Sequence, residues 1–137
     1  MPIIHHNKQA SKKGYFSKVI SRDIINASTG ASAFTVWEQD IPVGGYIATH
    51  YHDVEEAIMI TSGKLQLKLG EEEHTVPENA TIFISPHQVH SAKNLTESPV
   101  RLIAILESAN PKVLYPDEKP APVRWGEDFI NGVKDES

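Results

Sequence analysis

The chain of 137 residues contains no cysteine. Disulfides, thiolate metal sites, iron–sulfur clusters and cysteine nucleophiles are excluded together. The absence also suits a reducing compartment, so a cytoplasmic setting is expected. Basic clusters are missing as well: no Lys or Arg block exceeds the pair Lys12-Lys13, and 13 Lys and Arg stand against 18 Asp and Glu, a formal net charge of -5. A nucleic-acid partner would call for a basic stripe. Long apolar runs are absent too. The stretch 102–106 is far short of a membrane span, and the opening Met1-Pro2-Ile3-Ile4-His5-His6-Asn7-Lys8 has no apolar core of the secretory kind. Neither nucleic acid nor membrane is therefore expected as a partner. The length suits one domain. Histidine, by contrast, is plentiful, with seven in the chain. A metal held here would be held by imidazole and carboxylate.

Three zones follow one another. Residues 1–30 are polar and read as an N-terminal arm with one short strand over 15–20. Residues 31–109 hold most of the β-branched and aliphatic residues. Residues 110–137 carry Pro111, Pro116, Pro120 and Pro122, a spacing that excludes a helix interior or a central strand. Leu114, Tyr115, Val123, Trp125 and Phe129 give this tail something to bury, so an ordered, extended path anchored by Trp125 and Tyr115 is expected. In the middle zone, strands are predicted over 33–38, 46–52, 56–61, 64–69, 74–76, 80–84, 89–94 and 100–106. Short strands with turns at this spacing indicate an all-β antiparallel barrel or sandwich. Leu65, Leu67 and Leu69, together with Ala57 and Met59, cannot all lie inside one small barrel. A leftover apolar face calls for a partner, and a homodimer is expected.

The chemistry concentrates in Gly44-Gly45-Tyr46-Ile47-Ala48-Thr49-His50-Tyr51-His52-Asp53-Val54-Glu55-Glu56. His50 and His52 are two apart on a strand, so both rings leave one face, about 7 Å apart at the backbone. If 53–55 is a tight connection, Glu56 opens the returning strand and faces the same interior. His90 starts a later strand and can supply a fourth ligand from across the barrel. Three imidazoles and one carboxylate suit one divalent transition metal (iron, manganese, nickel, copper or zinc) and suit magnesium or calcium poorly. By simple alternation, Tyr46 and Ala48 share the ligand face and line the cavity. Ile58 and Ile60 share the parity of Glu56, and Asn94 that of His90. Phe34 and Val36, or else Trp37, close the opposite wall. Tyr46, Ile58, Ile60 and Asn94 are thus the candidate substrate contacts. His87 either holds a left-handed turn or sits at the barrel mouth as a proton-transfer group, and with Tyr46 it is a candidate catalytic residue. His74, beside Glu71-Glu72-Glu73, reads as a solvated face.

Gly44, His50, His52, Glu56 and Gly63 fit the first cupin motif, G-x5-H-x-H-x3-E-x6-G, at every fixed position. The second motif, G-x5-P-x-G-x2-H-x3-N, aligns through His90 and Asn94. It departs at Asn79, Ser85 and His87, where Gly, Pro and Gly are usual. Asn and His tolerate a left-handed backbone better than most residues, so the turns remain possible. The chain resembles a small single-domain cupin. That resemblance implies a jelly-roll β-barrel over 31–109 with the metal inside, and a dioxygenase-type oxidoreductase acting on a small organic substrate. Two alternatives stand beside it: a non-redox metal-dependent lyase, isomerase or decarboxylase, and a non-catalytic barrel that captures a small molecule.

Overall fold

The computed structural model describes residues 3–116 and the backbone of one further strand, Phe129–Asn131. The strands are β1 (Ser11–Gly14), β2 (Ile20–Ile25), β3 (Thr35–Ile41), β4 (Tyr46–His50), β5 (Glu56–Ser62), β6 (Leu65–Leu69), β7 (Glu72–Val76), β8 (Thr81–Ile84), β9 (His90–Lys93), β10 (Val100–Leu106) and β11 (Phe129–Asn131). They form a seven-stranded sheet, β11-β1-β2-β3-β10-β5-β8, and a four-stranded sheet, β4-β9-β6-β7. Every pairing is antiparallel. The all-β antiparallel architecture expected from the alternation is therefore present, in the jelly-roll form that the resemblance implied, and the middle zone supplies β3 to β10. Among the described residues no helix is long and apolar enough to cross a membrane.

The first thirty residues differ from expectation in detail. Two strands form there, β1 and β2, and 15–18 is the turn between them. Lys18 takes a left-handed backbone, φ 63°, in that turn. The short-strand reading failed because Tyr15 and Phe16, which suggested a strand, are exposed turn residues. Arg22 is buried in β2, where its guanidinium meets Asp40 Oδ2 at 3.1 Å and Glu38 Oε1 at 3.5 Å. A polar-looking segment joins the sheet through ion pairs as well as through the buried Val19, Ile20 and Ile24. His6 completes this outer-face ladder, with Nδ1 2.9 Å from Glu38 Oε2.

Inside, the two sheets face each other over Ile41, Ile47, Ile58, Ile60, Leu65, Leu67, Ile84, Ala92, Leu102, Ala104 and Leu106, all buried. Alternation on β6 sends Leu65 and Leu67 inward. Ala57 and Met59 of β5 lie on the other face. The outward apolar face thus belongs to the seven-stranded sheet. Its centre is a row in register, Val36, Ile105, Ala57 and Phe83, across β3, β10, β5 and β8. Phe83 in that row is 58% exposed. Residues 107–116 run back over the barrel, and the proposed anchor Trp125 lies outside the described residues.

Turns are set by backbone sterics. Asn79 and His87 adopt φ 65° and 66°, so the two departures from glycine are accommodated as left-handed residues. Gly44 and Gly63 also have positive φ, but only Gly63 is additionally crowded. A Cβ there would lie 2.6 Å from the Pro99 carbonyl oxygen, whereas one on Gly44 meets nothing within 4 Å. Gly44→Ala should therefore cost about 1 to 2 kcal/mol, the left-handed penalty alone. Gly63→Ala should cost clearly more, because backbone must also move. Urea unfolding of both variants checks the order; equal losses would show that the Pro99 contact is relieved at no cost.

Candidate metal centre

His50 ends β4, His90 opens β9 and the two are cross-strand partners. His52 lies two residues beyond His50, and Glu56 opens β5 on the opposing sheet. All four side chains are buried. The nearest ligand nitrogens of the three histidines lie within 4.8 Å of one another. Glu56 Oε1 stands 3.5 Å from His52 Nε2 and 3.3 Å from His90 Nε2. The structure thus brings together the four residues singled out by spacing.

The hydrogen bonds on the far side of each ring decide its tautomer. His50 Nδ1 is 2.7 Å from the Ala48 carbonyl, His52 Nδ1 is 2.7 Å from the Lys112 carbonyl, and His90 Nδ1 is 2.9 Å from the Gln88 carbonyl. A carbonyl oxygen only accepts, so each Nδ1 donates its hydrogen. In the neutral ring, Nε2 is then left with a lone pair. Burial pushes the His50 imidazole well below its ordinary value of 6.5, and facing His90 and His52 push it the same way against the Ala48 bond. With neutral rings, His52 and His90 aim two lone-pair nitrogens at the Glu56 carboxyl oxygen. His52 Nε2, His90 Nε2 and Glu56 Oε1 are buried without any hydrogen-bond partner. Orphaned buried acceptors of this kind cost about 1 to 3 kcal/mol each. A divalent cation between them removes that cost, so the donor set fits a metal ion.

The wall around the centre departs from the parity expectation. On β4, Ile47 pairs with Ala92 and His50 with His90, so three steps on β4 match two on β9. This bulge lets Ile47 and His50 both face inward. Tyr46 and Ala48 instead line a groove of about 530 Å³ on the outer face of the four-stranded sheet, with Gln66, Lys68, Ser91 and Lys93. Tyr46 is therefore not brought to the centre. Asn94 is buried, but its amide is fully used: Nδ2 donates to the carbonyls of Ile41 (3.0 Å) and Ser98 (2.8 Å), and Oδ1 accepts from Thr96 N (3.0 Å) and Oγ1 (2.7 Å). It closes the loop after β9 and has nothing left for a ligand. Ile60 is packed in the core, while Ile58 does line the centre. Trp37 closes the opposite wall, its ring 6.0 Å from that of His52; Phe34 is largely exposed and Val36 faces outward.

The cavity beside the ligands is about 20 Å³ and is lined by Trp37, Gln39, Ile47, Ile58, Leu67 and Ala92 together with His50, Glu56 and His90. That is room for about one water-sized ligand. Gln39 was not foreseen, although it shares the parity of Trp37 on β3. His87 is exposed at the turn before β9, donates its backbone N–H to the His52 carbonyl at 2.7 Å, and holds its ring 6.0 Å from that of Tyr51. His74 is exposed, with Nε2 3.3 Å from Glu72 Oε2, as a solvated face should be.

The depressed His50 value gives a pH dependence with a definite sign. In the unfolded chain this imidazole takes up a proton below about pH 6.5; in the metal-free folded protein it refuses the proton until far lower pH. The unfolded state then binds more protons, so stability falls as pH drops below that point. The expected outcome is a progressive loss of melting temperature in chelator-treated protein from pH 7 downward. A flat profile over that range would show that His50 is not buried in neutral form.

Comparison with known proteins agrees with this geometry. The Cupin domain family matches residues 37–106, which include His50, His52, Glu56 and His90. Mannose-1-phosphate guanylyltransferase RfbM of Salmonella typhimurium is 32% identical over 60 residues, covering 44% of this chain but only 12% of that protein. In fold, the chain is similar to the polyketide cyclase RemF from Streptomyces resistomycificus (TM-score 0.73, 20% identity, 88% of this chain and 89% of that one). It is also similar to a cupin-superfamily sugar phosphate isomerase from Silicibacter pomeroyi (TM-score 0.72, 19% identity, 85% and 82%). With its family match, its two facing antiparallel sheets and its buried histidine cluster, the chain belongs to the cupin family.

Proposed function

We propose that the chain is a mononuclear metal-dependent oxidoreductase of dioxygenase type, acting on a small organic substrate at the His50–His52–Glu56–His90 centre. One observation carries the reading. Among the described residues lining the centre, the only titratable side chains are the ligands themselves. An isomerase or lyase moves protons and needs a positioned acid or base besides the ligands. A redox metal held by His50, His52, Glu56 and His90 would instead supply Lewis acidity and electrons. The protein's own tasks are then positional. Trp37, Ile47, Ile58 and Leu67 exclude water, the three main-chain carbonyls hold the imidazoles in their ligating tautomer, and Gln39, whose Nε2 donates to Ser21 Oγ at 3.4 Å, keeps its amide oxygen for a polar substrate atom. A cytoplasmic setting, which keeps ferrous iron reduced, suits this chemistry. The non-redox alternative rests on His87 near the mouth and would use it as proton donor.

The test is anaerobic metal analysis of freshly purified protein, followed by oxygen-uptake measurements with a panel of small phenolic, thiol and enolic substrates. Oxygen consumption matched to substrate loss is expected, and His90→Ala should lose both bound metal and uptake. Turnover that proceeds equally well without oxygen would overturn the reading in favour of the non-redox one.

The second part of the proposal is assembly. The outward row Val36–Ile105–Ala57–Phe83 supports a homodimer built on the seven-stranded sheet. Sedimentation should give twice the 15.2 kDa chain mass, and Phe83→Lys should shift the boundary to the monomer. A wild-type monomer at micromolar concentration would exclude the dimer.

A further inference from the structure

The three histidines are not held alike. His50 and His90 each take their Nδ1 partner from the carbonyl two residues upstream, Ala48 within β4 and Gln88 just before β9. His52 takes its partner from Lys112, 60 residues further along the chain. Lys112 belongs to the segment after β10 that runs back across the barrel, beginning at Pro111. That segment is tied down next to His52 by a two-way backbone bridge: Tyr51 N–H donates to the Leu114 carbonyl at 2.8 Å, and Leu114 N–H donates to the Tyr51 carbonyl at 2.9 Å. Without the segment, Glu56 Oε1, 3.5 Å from His52 Nε2, would favour the tautomer with hydrogen on Nε2. The tautomer with hydrogen on Nε2 cannot ligate through that nitrogen, the one that faces the centre.

We infer that residues 111–115 form a strap that completes the metal centre, with the Lys112 main-chain carbonyl as a positioning group that fixes His52 in its ligating tautomer, so that strap docking and metal binding reinforce each other. The inference rests on the metal reading of the site. Its physical basis is linkage. If a docked strap raises metal affinity by some factor, bound metal favours the docked strap by the same factor. Outer partners of ligating histidines typically change metal affinity by about tenfold to a hundredfold. The strap therefore does more than cover apolar surface. Removing the chain after residue 110 would loosen one ligand as well as lower stability, which departs from a tail that merely packs. Pro111 helps by limiting the freedom lost on docking.

The test uses the full chain with Co²⁺ and Zn²⁺ as probes. Leu114→Pro removes the N–H that donates to Tyr51 while keeping an extended backbone. It should weaken Co²⁺ binding about tenfold to a hundredfold, alter the visible spectrum of the bound Co²⁺, and give a mixture of His52 tautomers in ¹⁵N spectra of the metal-free protein. In the wild-type protein, Zn²⁺ should slow exchange of the Leu114 amide at least tenfold, a measurement that stands even if the variant folds poorly. Wild-type affinity and spectrum in Leu114→Pro, or Leu114 exchange that ignores Zn²⁺, would overturn the strap while leaving the metal centre intact. A wild-type protein that takes up no Co²⁺ at all would instead remove the metal reading, and the strap with it.

Discussion

The structure turns on one unfavourable arrangement: a carboxylate oxygen of Glu56 facing the lone pairs of His52 Nε2 and His90 Nε2 in a dry interior. Left alone, it is repulsive and desolvated. Around it the protein has removed each easy escape. Main-chain carbonyls occupy the outer nitrogens, so a neutral ring cannot offer a hydrogen inward without losing a bond. Burial disfavours protonation of His50. What remains is a set of donors whose mutual repulsion a cation relieves, and the apolar walls of the barrel keep water from doing so instead.

Much of this was legible because strand alternation is a local rule. His50 and His52 lie on one face for the same reason that Leu65 and Leu67 do, and Glu56 and His90 follow from short connections between strands. Alternation fails where the backbone adds a residue. The β4 bulge carries no glycine and no other marker in Ala48-Thr49, so Tyr46 was assigned to the wrong face. Asn94 was visible as a conspicuous residue, but its saturation by loop carbonyls depends on contacts 53 and 4 residues away. The Lys112 carbonyl left no trace at all, since every residue has one. The leucines of β6 show a different limit: with apolar residues on both β5 and β6, the inward set is decided only when the sheets are assembled.

Charge does in the outer layer what apolar burial does inside. Asp40 is clamped bidentately by Arg101, at 2.6 and 3.0 Å, and is met from the other side by Arg22. Burial raises the Asp40 carboxyl, yet the two guanidinium groups hold it below its usual range. These contacts fasten β2, β3 and β10 side by side. The strand that carries Trp37 and Gln39 is thereby fixed from its outer face while its inner face borders the cavity.

The strand order carries a consequence for biosynthesis. Residues 35–41 pair with residues 100–106, and the same strand β10 pairs with β5, where Glu56 begins. A chain emerging from its N-terminus exposes all four ligands before β10 exists to join β3 to β5, and before Lys112 reaches His52. Contacts so distant in sequence close late and slowly. The nascent chain therefore offers only scattered imidazoles, not the converging set of the finished barrel. A metal held by this histidine group would thus be enclosed by the walls of the finished barrel, after folding rather than during synthesis.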